Sequence, residues 1–376
     1  MNEVSKKANI SFAAINPYVE SNIVSPKETK YSSKEYVEWG DGNLYPEFLQ
    51  SLYDNVPTLK SIIDGCVDYV CGDNISILPL GDNPVGKMNV KGDTILEQVG
   101  DVSRDCFQAG GFALQVIRNG YGDPAEVYYI DVSFLRSNKE NTVFYYSENW
   151  NKGSRKDVIV YPAFMPNLDW NALSDEERSR HASSILYVKK SHKRTYPVPC
   201  YAAAVKACEI ERCVDDYHLN AINNGFTGSY IINFNNGVPE DKIKEEIEEA
   251  FNEKFSGHEN AGRILFSWNT NKDAATTTDK VDVEDFGEKY KALEANSRQK
   301  IFTAFRANPN LFGIPTESLG FSQEEYESAF RLFNRTMIRP IQTMIADAYD
   351  KIYGQTGVLT IKPFSLEEAT TEQEVK

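Results

Sequence analysis

The sequence predicts an α+β chain in three parts. First comes an α/β unit, then two long helices carrying a small β-α-β insert between them, then a further long, kinked helix. Three observations predict it. From Tyr196 to Phe305 two extended helical periodicities bracket a short stretch that begins and ends with strand-like runs. Before that stretch, helical patterns give way to alternating segments separated by Gly, Asn and Asp turns. After it, Ser322 to Ile352 carries an almost unbroken apolar stripe at steps of three and four.

Residues Met1 to about Ser33 are polar with scattered apolar residues and read as loop or arm. Tyr36 to Tyr45 mixes aromatics with two glycines, the composition of a tight turn pinned by packing. Tyr45-Pro46-Glu47 opens a helix through Phe48, Leu49, Leu52 and Tyr53. Thr58 to Val70 is a second, stopping at Gly72, and Thr94 to Ala109 a third, broken by Gly110-Gly111. Phe112–Arg118, Ala125–Ile130, Thr142–Tyr146 and Asp157–Val160 then read as antiparallel strands of a sheet, with Ser184–Lys189 one more.

The first long helical pattern starts at Tyr196-Pro197-Val198-Pro199 and ends at Asn223-Asn224-Gly225. Ala203, Ala207, Ile210, Val214, Tyr217 and Ala221 mark one face, and roughly 25 residues would make a rod near 37 Å long. Ser229–Phe234 and Arg263–Trp268 read as short strands, with an amphipathic helix from Val238 to Phe255 between them. A second long helix runs from near Val283 to Asn308-Pro309 through Phe286, Tyr290, Leu293, Ile301 and Phe305. In the last helix Ser322 and Glu325 have capping-box spacing, and Pro340 predicts a kink. Val358–Lys362 suits a final strand, and Leu366 to Lys376 an acidic tail that frays.

Composition narrows the class. Apolar residues are 41% and aromatics 12%, enough for a real core, so disorder is excluded. Six cysteines show no CxxC and no metal-ligand spacing and read as reduced thiols. There is no signal peptide and no apolar run near membrane-spanning length, so a soluble, cytoplasmic chain is expected. A formal charge of −15 leaves no whole-surface basic footprint for nucleic acid. Phosphate-loop, dinucleotide-loop, HExxH and Gly-x-Ser-x-Gly motifs are missing, and His181, His192, His218 and His258 are scattered. No catalytic residue, metal ligand or cofactor is expected.

Several motifs in order resemble one family. Tyr128-Tyr129-Ile130-Asp131 followed by Phe134-Leu135 is similar to an L-x-P-x-x-V strand that has lost its proline. Ser184 to Val188 precedes the first long helix, which Asn223-Asn224-Gly225 and Gly228 close. Lys254-Phe255-Ser256-Gly257 with Asn260-Ala261-Gly262 resembles an R-F-x-G-x-x-N-A-G turn. Phe333-Asn334-Arg335-Thr336-Met337-Ile338-Arg339-Pro340 resembles F-x-x-x-T-L-x-P. Together, over roughly residues 95 to 350, these resemble the portal proteins of tailed bacteriophages of the long-tailed type.

The resemblance implies a ring, usually of twelve subunits, at one capsid vertex. It would form a channel for DNA packaging and ejection. It implies a wing at 1–196, a first stem helix at 197–227, a clip at 228–280 and a second stem helix at 281–307. A channel loop at 308–321, a long wing helix at 322–354 and a short tail at 355–376 complete it, with the family's crown largely absent. Implied partners are double-stranded DNA held weakly and non-specifically, the terminase large subunit, a head-tail adaptor, and the major capsid and scaffold proteins, with no membrane. The implied location is the virion, after assembly in the bacterial cytoplasm. The alternative is a head-morphogenesis or adaptor protein without a DNA channel; a nucleotide-dependent enzyme is a third reading, against which the missing phosphate loop argues.

Candidate site residues follow. Asn308, Pro309, Asn310, Leu311, Phe312 and Gly313 are either the DNA-facing channel loop or a packed connection. Glu240, Asp241, Glu245, Glu248 and Glu249 form an acidic helix face, for motor docking or merely solvated. Lys189, Lys190, Lys193 and Arg194 suit DNA phosphates, a neighbouring subunit's acidic surface, or a solvated connector. Arg331, Arg335 and Arg339 are subunit-interface candidates, although Glu327 at i,i+4 from Arg331 also fits plain helix support.

Overall fold

The structure, a computed structural model, describes residues 23–31, 34–78, 87–150, 158–190, 193–223, 230–234, 239–240, 242–244, 246, 264–268, 286–314 and 323–365. The chain divides into two compact units, one of Asn22–Glu209 with Ser297–Lys376, the other of Met1–Ser21 with Ile210–Asn296. The expected N-terminal arm and acidic tail lie outside the described residues apart from 23–31.

The larger unit opens on the aromatic turn. Trp39 and Tyr45 are each 1% exposed, and the Trp39 ring stacks on Tyr196 at 4.6 Å, so packing does pin it. Helices α1 (Tyr45–Asn55) and α2 (Pro57–Cys71) each carry proline in the first turn, where its missing N–H costs nothing. Gly72 ends α2 with φ 62°, and a Cβ there would stand 2.1 Å from the Lys362 carbonyl oxygen. That close approach admits a pairing absent from the sequence reading, strand β1 (Asn74–Ile77) running antiparallel to β10 (Leu359–Lys362). Helix α3 (Ile95–Gln108) starts from a capping box between Thr94 and Glu97.

The run of antiparallel strands expected as one sheet is two. Strands β2 (Gly111–Arg118), β3 (Pro124–Ile130) and β7 (Ser183–Lys189) form one in the order β3-β2-β7. Strands β4 (Leu135–Ser137), β5 (Val143–Tyr146) and β6 (Ile159–Pro162) form the other in that order. The break comes at Asp131, whose carboxylate accepts from Ser133 N at 2.7 Å and starts a 3-10 turn over Val132–Phe134. A short helix α4 (Asp175–His181), capped by Ser174 and Glu177, precedes β7; without an apolar stripe it left no periodic signal.

Helix α5 (Val205–Asn223) is 19 residues long, shorter than expected, because Ala202–Ala204 form a 3-10 turn after the prolines. Its buried positions also differ. Val205, Ala207, Cys208 and Val214 are buried, whereas Ile210 is 37% and Tyr217 45% exposed. Helix α6 (Phe286–Phe305) returns to the larger unit, where Ile301 and Phe305 are wholly buried and Phe305 stacks on Tyr201.

The last long helix, where the sequence predicts a kink at Pro340, carries a π turn just ahead of the proline. Helix α7 (Gln323–Phe333) passes through a π turn at Asn334–Ile338 into α8 (Arg339–Tyr353), with Pro340 in the first turn of α8. The Arg339 amide donates to the Asn334 carbonyl, a step of five, so the chain widens one turn before the proline. The stripe of Phe330, Phe333, Met337, Ile341, Ile345, Ala348 and Ile352 is buried throughout. It joins one contiguous core with Ile62, Val99, Phe112 and Phe305, in which each fully buried aliphatic residue contributes roughly 1.5–3 kcal/mol.

In the smaller unit β8 (Tyr230–Phe234) pairs in parallel with β9 (Ile264–Trp268). Parallel neighbours need a crossover, and residues 242–244 and 246 between them are helical, which is the β-α-β order expected. On the helices that lead into and out of it, Tyr217 stacks on Tyr290 with ring centres 4.5 Å apart.

Candidate functional site

The basic turn after β7 splits into two kinds of residue. The Lys189 ammonium is consumed internally: it donates to the carbonyl oxygens of Arg194 at 2.6 Å and Thr195 at 2.9 Å and to Asn141 Oδ1. Burial pulls its pKa below the ordinary lysine value, with the Glu28 charge opposing. Lys189 therefore staples the turn shut. Lys190, Lys193 and Arg194 are exposed around it.

The segment following α6 is a short 3-10 turn, Pro309–Phe312, capped by the Asn308 side chain accepting from Asn310 N at 3.1 Å. Leu311 is 6% exposed, and Phe312 meets Tyr69, Phe302 and Phe333 edge-on or tilted, with centroids 5.8–6.1 Å apart. The Tyr69 hydroxyl donates to the Leu311 carbonyl at 2.7 Å. Neither side chain is the exposed loop tip their turn-rich surroundings suggested; of the two readings, both take the packed one. Asn308, Pro309 and Asn310 are half-buried and Gly313 is exposed, while residues 315–321 lie outside the described residues.

Arg331, Arg335 and Arg339 are all exposed, on α7, the π turn and α8 in succession. Arg331 Nε reaches the Glu327 carbonyl at 3.4 Å. Of the acidic insert face, Glu240 is exposed, and Asp241, Glu245, Glu248 and Glu249 lie outside the described residues.

Two arrangements went unrecognised in the sequence. Arg136 is completely buried and sits at 4.8 Å from the centre of the Trp150 ring, donating to Asn43 Oδ1 and to the carbonyls of Asn43, Ser133 and Leu135. Burial lowers its pKa to about 10. A lone arginine on a three-residue strand gives no pattern to read.

The other is the tip of the β2–β3 hairpin. Asn119 Oδ1 accepts from the Tyr121 and Asp123 amides, both at 2.9 Å. Trp170 Nε1 donates to the Gly120 carbonyl at 3.0 Å, and a Cβ on Gly122 would stand 2.5 Å from the Trp170 ring. Arg118 ties the tip to the following segment by donating to the Gly122 carbonyl at 2.6 Å and the Met165 carbonyl at 2.7 Å. On this braced turn Tyr121 is 86% exposed. An Asn-Gly-x-Gly-Asp run marks the turn in the sequence, but nothing there marks its bracing.

Among the described residues no group of three or more His, Cys, Asp or Glu side chains is placed to hold a metal ion, and no helix is long and apolar enough to cross a membrane. None of the six cysteines is in a disulfide, and burial pushes the thiols of Cys66 and Cys106 well above their ordinary pKa, which makes them poor nucleophiles.

Known proteins resemble this arrangement. The neck of an empty gene transfer agent particle computed with C6 symmetry aligns at 16% identity and a TM-score of 0.53, covering 86% of this chain and 85% of that one. The neck of the native particle computed with C12 symmetry aligns at 16% identity and a TM-score of 0.50, covering 86% of each chain. A portal protein of an HK97-family phage from Corynebacterium diphtheriae aligns at 9% identity and a TM-score of 0.45, over 84% of this chain and 93% of that one. No curated protein sequence matches. The sequence profile of phage portal proteins, however, matches residues 99–367, from the middle of α3 past the final strand, and by that span the chain belongs to the phage portal protein family.

Proposed function

We propose that this chain is the subunit of a portal ring, of twelve copies, through which double-stranded DNA enters and leaves a capsid. The observation that carries the reading is the family match over residues 99–367. The twelvefold symmetry of the similar gene transfer agent neck supports the copy number. In this reading α5 and α6 are stem helices of neighbouring subunits around the channel, and the β-α-β insert is the clip. The clip rim, with the acidic face of Glu240, Asp241, Glu245, Glu248 and Glu249, docks the terminase large subunit during packaging and a head-tail adaptor afterwards. The larger unit faces the major capsid and scaffold proteins, and the virion vertex is the working location after assembly in the host cytoplasm.

With Leu311 and Phe312 packed inward, the DNA-facing part of the channel loop reduces to Gly313 and the residues after it. Arg331, Arg335 and Arg339 serve as exposed contacts between subunits. A formal charge of −15 per subunit makes the ring wall repel DNA weakly beyond a Debye length of about 8 Å, so that the duplex slides instead of sticking.

Negative-stain electron microscopy of the purified protein, with mass by light scattering, tests the reading. Rings with a central hole are expected, with little retention of free DNA. A monomer that persists at high concentration and with scaffold protein added would favour the adaptor alternative, as would a tight sequence-specific DNA complex count against a passive channel.

A further inference from the structure

The sheet β3-β2-β7 has two unlike ends. Gly111 pairs with Lys189 at one and Ile117 with Ser183 at the other, so the ends lie about 20 Å apart at about 3.4 Å per residue. The first end carries the exposed Lys190, Lys193 and Arg194, on a turn stapled by Lys189. The second carries the braced hairpin with Tyr121, and Met165, 48% exposed, is tied to it through Arg118. The charges around this second end lean the other way, though less steeply: Asp123, Asp169 and, on α4, Asp175, Glu176 and Glu177 are exposed, against Arg118, Arg178 and Arg180. Asp175 pairs with Arg178 at 3.4 Å and Glu176 with Arg180 at 3.7 Å, and Arg178 also links α4 to the Trp170 carbonyl at 3.1 Å.

We propose that the hairpin tip of one subunit docks on the basic turn of the next, making this sheet a head-to-tail contact of the ring. The inference rests on the ring reading above and names where neighbours touch. Three features fit a second copy of this chain. The tip and the turn have opposite charge, which steers association and fixes orientation. The tip presents a tyrosine whose backbone is already held in place, the residue type that anchors interfaces at small entropic loss, and its exposed ring face accepts a lysine or arginine. The two surfaces are different and sit too far apart for one chain to satisfy both, so the contact is heterologous, the kind that builds a ring when the rotation between copies closes.

The test compares the full-length protein with two variants by light scattering and negative stain. One reverses the tip (Tyr121→Ser, Asp169→Lys, Glu176→Lys) and the other the turn (Lys190→Glu, Lys193→Glu, Arg194→Glu). Each is expected to raise the concentration needed for half-assembly by about tenfold or more. Mixing the two variants restores rings, because each then offers the partner that the other lacks. Tyr121→Ser alone shifts assembly in the same direction with an unchanged thermal midpoint. If the unmodified chain forms rings and both variants form them at the same concentration, the contact is overturned and the ring reading stands. If the turn variant assembles normally but loses retention on DNA, the turn is a phosphate site, which also overturns it. An unmodified chain that never assembles, even with scaffold protein, removes the ring reading and this contact together.

Discussion

Two junctions in the larger unit hold distant parts of the chain together by opposite means. At one, Arg136 on β4 reaches the turn before α1, 93 residues earlier, through a buried guanidinium bonded to Asn43 and flanked by Trp39 and Trp150. At the other, α2, the turn after α6, the end of α7 and the segment after β10 meet through rings: Tyr69, Phe312, Phe330, Phe333 and Phe364 surround one another edge-on or tilted. The polar junction accepts one residue in one geometry, since a buried carbonyl without a donor costs more than its hydrogen bond contributed. The apolar junction accepts any shape that fills the volume. Specificity sits in the first and tolerance in the second.

The widest separation between them is expected from Arg136→Met. It keeps the volume but strands the carbonyls of Asn43, Ser133 and Leu135, so a loss of about 3 kcal/mol or more in urea denaturation is expected. A loss below about 1 kcal/mol would make the two junctions equivalent in kind. Phe312→Ala comes next, at about 2 kcal/mol, and Phe312→Met should recover most of it, ending within about 1.5 kcal/mol of the parent. Failure of the methionine to recover stability would mean that ring geometry, and not volume, holds the apolar side.

Tyr69→Phe removes a polar link inside the ring cluster, the hydroxyl bond to the Leu311 carbonyl. The expected loss is about 1 kcal/mol, seen as a small fall in thermal midpoint. The smallest effect is one of pH. Asp105 accepts from the Val132 amide at 3.3 Å beside the polar junction, and burial, with the Asp131 charge added, holds its carboxyl well above the ordinary aspartate pKa. The folded chain therefore keeps a proton that the unfolded chain releases above about pH 4. Stability is fullest below that pH and falls as pH rises toward the folded-state pKa. Asp105→Asn should flatten the change in urea midpoint between about pH 5 and pH 8 and raise the midpoint at the upper end. An unchanged slope would show that Asp105 is not the group responsible.

What was legible in the sequence follows from the reach of each interaction. Caps, proline starts and apolar periods act within one turn, so α1, α2, α3 and the stripe of the last helix could be read directly. The split into two sheets depended on Asp131 turning the chain, and β1 on a partner that comes from the far end of the sequence. The basic turn was visible as a cluster, yet which lysine it consumes follows from carbonyls contributed by Arg194 and Thr195. Leu311 and Phe312 looked exposed because Asn, Pro and Gly surround them; Tyr69 on α2, remote in sequence, and Phe333 at the end of α7 pack against them. Even the π turn left a trace: Phe333, Met337, Ile341 and Ile345 follow in three successive steps of four, more residues than three ordinary turns hold.

That trace has a consequence for how the last helix tolerates changes in length. A π turn is an ordinary helix with one residue too many, and it keeps Phe330 and Ile345 on the same side by taking up that residue. Removing Thr336, which is exposed within it, would let the backbone close to a regular α-helix with the downstream stripe still in phase. Removing Asp347, on the regular stretch of α8, would rotate everything after it by about 100° and carry Ala348, Tyr349 and Ile352 off the core. The helix thus has one site where a deletion is absorbed, placed just ahead of Pro340.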